Sequence, residues 1–386
     1  MINSKEGGYV TLVITMVILF IVTAIGLMTA RMLVTEQQAS INQIRYREAM
    51  SAAEAGLEAA LVKLGQDNDW RMTLSSSAAA PFYEVDITDS ITIPSGSDTV
   101  RVIQLTSQGS SGGAVGSAES ESNVMLRQQA IVDHVIAGAP GAPLVVAAGM
   151  AAGGNFSVGA NPNGGGAGVP LSIWSGDAVS IGASSQTCGL DEYYRGVCSS
   201  SPYTSKTVTG NDILVGSASA SPPTFPPDLL QYIFGNKTVA DIELMAGGNV
   251  FNNCDSLTED SFGLYFINGN CTPPANIGCK KLDYPSCTHD INAVVLFIKD
   301  GNFRLNANRK FYGLVFNYDS HPTATPDYDI TINGTASVFG AMVANYELGK
   351  SNGTYNAVYD ADVMNTIQTG EPFARIHKIP GSWRDW

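Results

Sequence analysis

The chain has 386 residues, 35 acidic against 21 basic side chains, a formal charge of −14 and 40 glycines. An acidic, glycine-rich surface offers phosphates little attraction, which argues against non-specific nucleic-acid binding. The length exceeds what one small core serves and leaves room for two folded regions beyond any helical anchor.

From Tyr9 to Ala30 there is no charged residue, a run of about twenty apolar or small residues that can cross a bilayer core as a helix. Only MINSKEGG precedes it, and no small-x-small site follows it. This separates it from a secretory signal peptide and places a cut before the apolar run. Beyond the run, Ala49, Ala53, Gly56, Leu57, Ala60, Leu61 and Leu64 recur at three- and four-residue intervals among charged positions, the period of one helix face. One helix is expected over Tyr9–Leu64, a rod of roughly 80 Å. Only its amphipathic half can serve a globular core, so the first half must find lipid or other helices.

A short polar leader ending in glycine, a span starting at the next residue and a helix that turns amphipathic without a break together resemble type IV prepilins. The resemblance implies a leader over 1–8, cleavage between Gly8 and Tyr9 by prepilin peptidase, N-methylation of Tyr9, and a pilin helix over 9–64 with 9–30 in the membrane. In major pilins the fifth mature residue is a glutamate that meets a neighbour's terminal amine, and here that position is Val13. A carboxylate in an apolar bundle is costly without a partner, and the subunit inserted first has no earlier amine to meet. Loss of the glutamate, together with RYREAMSAAEAGLEAAL, resembles the PilX-type minor pilins, while K-type minor pseudopilins of type II secretion share the loss. An ordinary signal anchor tethering an external domain is the rival. Helix packing in a filament would run from Val13 to Leu33, with Ala24, Gly26 and Ala30 allowing close approach.

Gly65 and the polar turn after it end the helix, and Trp70 is expected to pack back on the domain. Three strand-like runs follow, at 82–89, 99–108 and 123–136, each with β-branched or aromatic residues near period two. They predict a small antiparallel sheet covering Ala53, Leu57 and Leu61 in a pilin-like region over 65–140. The flexible stretch between the second and third runs spells G-x-S-x-G at Gly109 to Gly113. It lacks the strand, tight turn and helix that a nucleophile elbow requires.

AGAPGAP at 137–143 marks a hinge, and 141–386 reads as a large β-rich domain. Its short apolar runs, with glycine or asparagine at the corners and a weak repeat of Gly154-Asn155-Phe156 as Gly301-Asn302-Phe303, suit a β-solenoid. A β-sandwich is the alternative. In a solenoid Val295, Phe297, Leu314, Phe316, Ile332, Val338 and Met342 would lie inside, and insertions such as SPPTFPPDLLQYIF, with a short helix, would project. The fold class is therefore α+β, a long amino-terminal helix with a small antiparallel sheet and then a large all-β domain.

All six cysteines lie in this domain, and an even count in an exported region suggests disulfides. Sequence proximity selects Cys188–Cys198 and Cys279–Cys287, leaving Cys254–Cys271. No C-x-x-C or finger-spaced histidine supports zinc. Asp319, Asp327 and Asp329 are weak calcium candidates without an EF-hand framework, and no cofactor is otherwise expected. The chain ends in GSWRDW, similar to the endings of PilX-like pilus assembly proteins. Trp383, Arg384 and Trp386 are candidates for contact with a neighbouring pilin, or else dock on the chain's own solenoid as a cap. His134, His289, His321 and His377 are scattered and no P-loop occurs, so no enzyme is expected.

The resemblance implies a minor pilin that primes or caps type IV pilus assembly and presents a large tip domain, with adhesion to a surface or cell ligand. Its partners would be other minor pilins, the major pilin, prepilin peptidase and, before assembly, the bacterial inner membrane with the head in the periplasm. After assembly it would sit at the pilus tip. The alternatives are a K-type minor pseudopilin and a membrane-anchored carbohydrate-active β-helix enzyme.

Overall fold

In the computed structural model the described residues are all but 1–6, 67–69, 77–79, 96–97, 153–155, 183–184, 199–201, 204–209, 217–224, 323–326, 352–354 and 386. One helix, α1 (Gly7–Gln66), runs through the apolar stretch and on into the body without a break. Its second half lies across an antiparallel sheet of β1 (Phe82–Ser95), β2 (Asp98–Ser111) and β3 (Ser122–His134). Ala49, Ala53, Leu57, Ala60 and Leu64 are buried against Val85, Ile87, Ile103, Leu105, Leu126 and Val132, so the period of four on the helix meets the period of two on the strands. Burial of Leu57 and Leu64 is worth about 2 kcal/mol each. The alanines matter for distance. A Cβ built on Gly109 of β2 would run into the backbone of Ala49 and Ala53, so this glycine sets how closely sheet and helix approach. Trp70 packs at the edge of this core, with the Lys63 ammonium 4.4 Å from its ring centroid.

The head is built on a parallel ladder. In chain order its main strands are β4 (Leu144–Val146), β5 (Ile173–Ser175), β6 (Ile213–Val215), β7 (Gly263–Asn268), β8 (Val294–Lys299), β9 (Lys310–Tyr318), β10 (Ser337–Ala344) and β11 (Tyr355–Val358). Across the sheet, β7, β8, β9 and β10 lie side by side in parallel register. Beyond β10 the next layer is shared: β11 pairs with its first half through Ser337 and Asn356, and β4 pairs with its second half through Met342 and Leu144. β5 and β6 then continue beyond β4. Smaller parallel pairs, such as Met150–Ala152 with Val179–Ile181 and Phe303–Leu305 with Ile330–Ile332, pack against one face of this ladder. These ladders are parallel, unlike the antiparallel sheets of a sandwich.

Both faces of the ladder are buried. Inside, Val294, Leu296, Ile298, Phe311, Val315, Ile332, Val338 and Met342 form one core. Outside, Val295, Phe297, Leu314 and Phe316 pack beneath short helices. These are α2 (Leu190–Arg195), α3 (Leu229–Phe234), α4 (Val239–Ala246) and α5 (Ala361–Thr369). Four of the seven residues expected inside thus face outward. A parallel strand covered on both sides reads as a continuous apolar run, so its sequence carries no face assignment. The segment around α3, expected to project, instead lays Leu229, Ile233 and Phe234 on the outer face. Phe266, Phe297 and Phe316 occupy register partners on β7, β8 and β9 and stack at 5.0 and 5.3 Å, a ladder that rewards in-register pairing.

The chain leaves the head beside the point where it enters. β11 and β4 share one layer, and after α5 the last strand, β12 (Ala374–Lys378), returns to the body and pairs antiparallel with β3. The Val135 amide donates to the Phe373 carbonyl at 2.7 Å, closing the neck. The head is therefore an insertion between two adjacent strands of the body sheet, whereas the sequence division assigned everything from 141 to 386 to the outer domain. Adjacent termini are what make such insertions tolerable.

Candidate assembly and interaction surfaces

The first surface is the apolar half of α1. Leu19 and Phe20 are 71% and 76% exposed, and Val13, Ile18, Leu27 and Met28 are exposed with them. Its hydroxyls are internally satisfied: Thr15 donates to the Thr11 carbonyl at 3.0 Å, Thr29 to Ile25 at 2.8 Å, and Thr23 to Leu19. Such back-bonding lets threonine sit in an apolar medium without an orphan donor. α1 is long and apolar enough to cross a membrane. Ala24 and Ala30 are exposed on it, and nothing lies within 4 Å of a Cβ built on Gly26, so these positions are open to a second helix. Gly8 and Tyr9 lie in the first turn of α1, while residues 1–6 of the expected leader fall outside the described residues.

The second surface is the carboxy-terminal edge of the body sheet. After β12 the chain keeps to β3: Ile379 N–H donates to the Gln129 carbonyl at 2.9 Å, and Ser382 Oγ accepts from the Gln129 amide at 3.0 Å. Arg384 and Arg127 then exchange backbone hydrogen bonds of 2.8 and 2.9 Å. Trp383 is 40% exposed on this edge. The GSWRD segment thus lies on the body sheet and not on the head as a cap; Trp386 lies outside the described residues. Sequence reasoning missed β12. Its signal was a short alternation in which Ala374 and Ile376 join the body core while Arg375 and His377 point away.

The three disulfides are Cys188–Cys198, Cys254–Cys271 and Cys279–Cys287. Each closes a short loop of the head, and the second ties the segment after Val250–Phe251 to a corner beside Phe303. Among the described residues no group of three His, Cys, Asp or Glu side chains could hold a metal. The three calcium candidates are separated in role. Asp319 is buried, its Oδ1 accepting from the His321 amide at 2.8 Å. Asp329 accepts from Ile330 at 2.9 Å, and burial holds its carboxyl above the usual range. Asp327 is exposed.

A polar network not foreseen from sequence joins α5 to the hairpin at Cys279–Lys280. Lys280 Nζ lies 3.1 Å from Asp360 and 2.8 Å from Asp362, while Asp360 Oδ1 caps α5 by accepting from the Asp362 and Val363 amides. Beside it, Tyr312 is fully buried and donates to Asp283 at 2.5 Å, and burial, with this carboxylate, raises the Tyr312 hydroxyl above the usual phenol range. Asp360 is buried while Asp362 is 72% exposed, so the Lys280 ammonium ties the buried start of α5 to the hairpin at the protein surface. At the G-x-S-x-G match, Ser111 is a buried strand end followed by turns.

With this geometry in hand, the comparison with known families is informative for one part of the chain. Residues 7–58 match the PilX N-terminal family model. The amino-terminal segment is similar to the N-terminus of PilX-type pilins. The match covers the exposed apolar half of α1 and most of its buried half, and it stops short of the sheet and head. No curated protein and no solved structure matches the chain.

Proposed function

We propose that this chain is a minor pilin of a type IV pilus. The observation that carries the reading is the PilX-type segment at 7–58 coinciding with a helix whose first half is apolar and uncovered while its second half is built into a folded body. In this reading the inner membrane stores the subunit through α1 with the body and head in the periplasm. Prepilin peptidase cuts between Gly8 and Tyr9, Tyr9 is N-methylated, and α1 then exchanges lipid for the helices of other minor pilins and the major pilin. Val13 in place of a carboxylate suits a subunit that enters before any neighbour's amine is available.

The subunit would prime or cap assembly and hold the head at the tip. We read the head as a solenoid-like stack of coils, supported by its parallel, in-register ladders, and as a non-enzymatic structure that contributes adhesion. A K-type pseudopilin of type II secretion is the second reading, since it shares the uncharged helix. Deleting the gene tests the proposal: surface piliation and attachment are expected to fall and to return on complementation. Normal piliation with impaired secretion would favour the pseudopilin, and no change in either would overturn both.

A further inference from the structure

The carboxy-terminal edge of the body carries an electrostatic arrangement that fold stability does not explain. Arg127 on β3 and Arg384 are directly opposite each other, exchanging both backbone hydrogen bonds, so their side chains leave the same face of the sheet. Like charges so placed destabilise an antiparallel pair. Several bases elsewhere in this acidic chain are matched to acids, Arg45 with Glu121 at 2.7 Å, Arg71 with Asp89 at 2.6 Å, Lys237 with Asp133 at 2.9 Å, and Lys378 with Glu58, while Arg309 and Arg375 donate to the backbone carbonyls of Pro273 and Met245. Among the described residues neither Arg127 nor Arg384 has a carboxylate partner, and Arg127 Nη2 reaches only the Met125 sulfur at 3.9 Å. Both line a cavity of about 170 Å³ with Gln104, Gln128, Gln129 and Ser382, a polar pocket that holds two guanidiniums.

We propose that this cavity is a docking point for an acidic segment of a neighbouring pilin subunit, a carboxylate being held by the paired guanidiniums of Arg127 and Arg384. Guanidinium forks bind carboxylates through two parallel hydrogen bonds, and the volume suits one acidic side chain. Lipid phosphate is the other anion a membrane-stored chain meets. Arg127 lies near the level of Gly56, however, since Leu126 pairs with Ser107, which packs on Gly56. The helix from Ala30 to Gly56 puts roughly 39 Å between the site and the end of the apolar run, beyond reach of headgroups. The like-charge cost in the free subunit is relieved when the partner docks, which makes the contact selective for the assembled state.

The proposal rests on the pilin reading, and its test separates the two. Full-length wild type, the R127E/R384E double variant and the R127K/R384K double variant are expressed in the deletion strain, and membranes and sheared filaments are quantified. The expected result is equal amounts of all three in membranes, at least a tenfold loss of the glutamate variant from filaments, and partial retention of the lysine variant. Thermal unfolding of full-length R384Q in detergent is expected at or above the wild-type temperature, because a repulsion is removed; a purely structural arginine would lower it. Wild-type incorporation of the glutamate variant overturns the docking proposal alone, and absence of the wild type itself from filaments overturns the pilin reading with it. Stabilisation of the wild type by millimolar inorganic phosphate, with no filament defect in the variants, overturns the protein-carboxylate assignment in favour of a free anion.

Discussion

Replacing Gly313 with alanine is expected to cost the head about 4 kcal/mol, the sum of forcing a side chain into a region nearly reserved for glycine and overpacking a closed ladder. Gly313 on β9 has φ +150° and Gly340 on β10 has φ +134°, and the two are register partners, with Val294 of β8 opposite Gly313 on its other side. A Cβ on Gly313 would strike the Val294 carbonyl, and one on Gly340 would strike the Gly313 carbonyl. The strands on either side are buried on both faces, so no relaxation toward solvent is available. Denaturant unfolding of the full chain, followed by the near-ultraviolet signal of the stacked aromatics, measures the effect. Gly349→Ala is the control, since nothing lies within 4 Å of a Cβ there, and it should change stability by less than about 0.5 kcal/mol. An unchanged Gly313→Ala would mean that the register linking β8, β9 and β10 is wrong.

Removing the head altogether is expected to leave a folded body. His134 and Ala374 are register partners at the ends of β3 and β12, the geometry that a two-residue Asn-Gly hairpin closes. Joining His134 to Ala374 through Asn-Gly should therefore retain α1 packed on β1, β2, β3 and β12, with all six cysteines gone. The losses at the neck are modest: the Arg375 hydrogen bond to the Met245 carbonyl and the Lys237–Asp133 ion pair, whose carboxylate is 39% exposed and takes up water once Lys237 is removed. Cooperative thermal unfolding of the shortened chain in detergent, with retained helix and sheet circular dichroism, is the expected outcome. A molten or insoluble product would show that the body sheet depends on the head and that the insertion is not modular.

Particular residues show what a linear reading can and cannot supply. α1 was legible because an uncharged run to Ala30 and then a four-residue alanine and leucine period to Leu64 are local signals that follow one another along the helix. β1, β2 and β3 were legible for the same reason, since each carries a local run near period two in β-branched and aromatic residues. Sequence-near cysteines also paired as neighbours. The faces of β8 and β9 were not legible, because Val294 through Ile298 are all buried and alternation vanishes when both sides are covered. β12 escaped because five residues separated from β3 by the whole head carry no local mark of their partner. The Arg127 and Arg384 pair is invisible for the same reason: two isolated arginines in sequence become one site only through that return.

In the minor-pilin reading proposed above, α1 carries this subunit from the membrane into a filament. Amino-terminal peptide and intact-mass analysis of the protein from membranes and from sheared surface filaments tests it most directly. The expected product is a chain beginning with N-methylated Tyr9, present in the sheared fraction. An uncut chain beginning at Met1 and confined to membranes would contradict it and leave a plain anchored head.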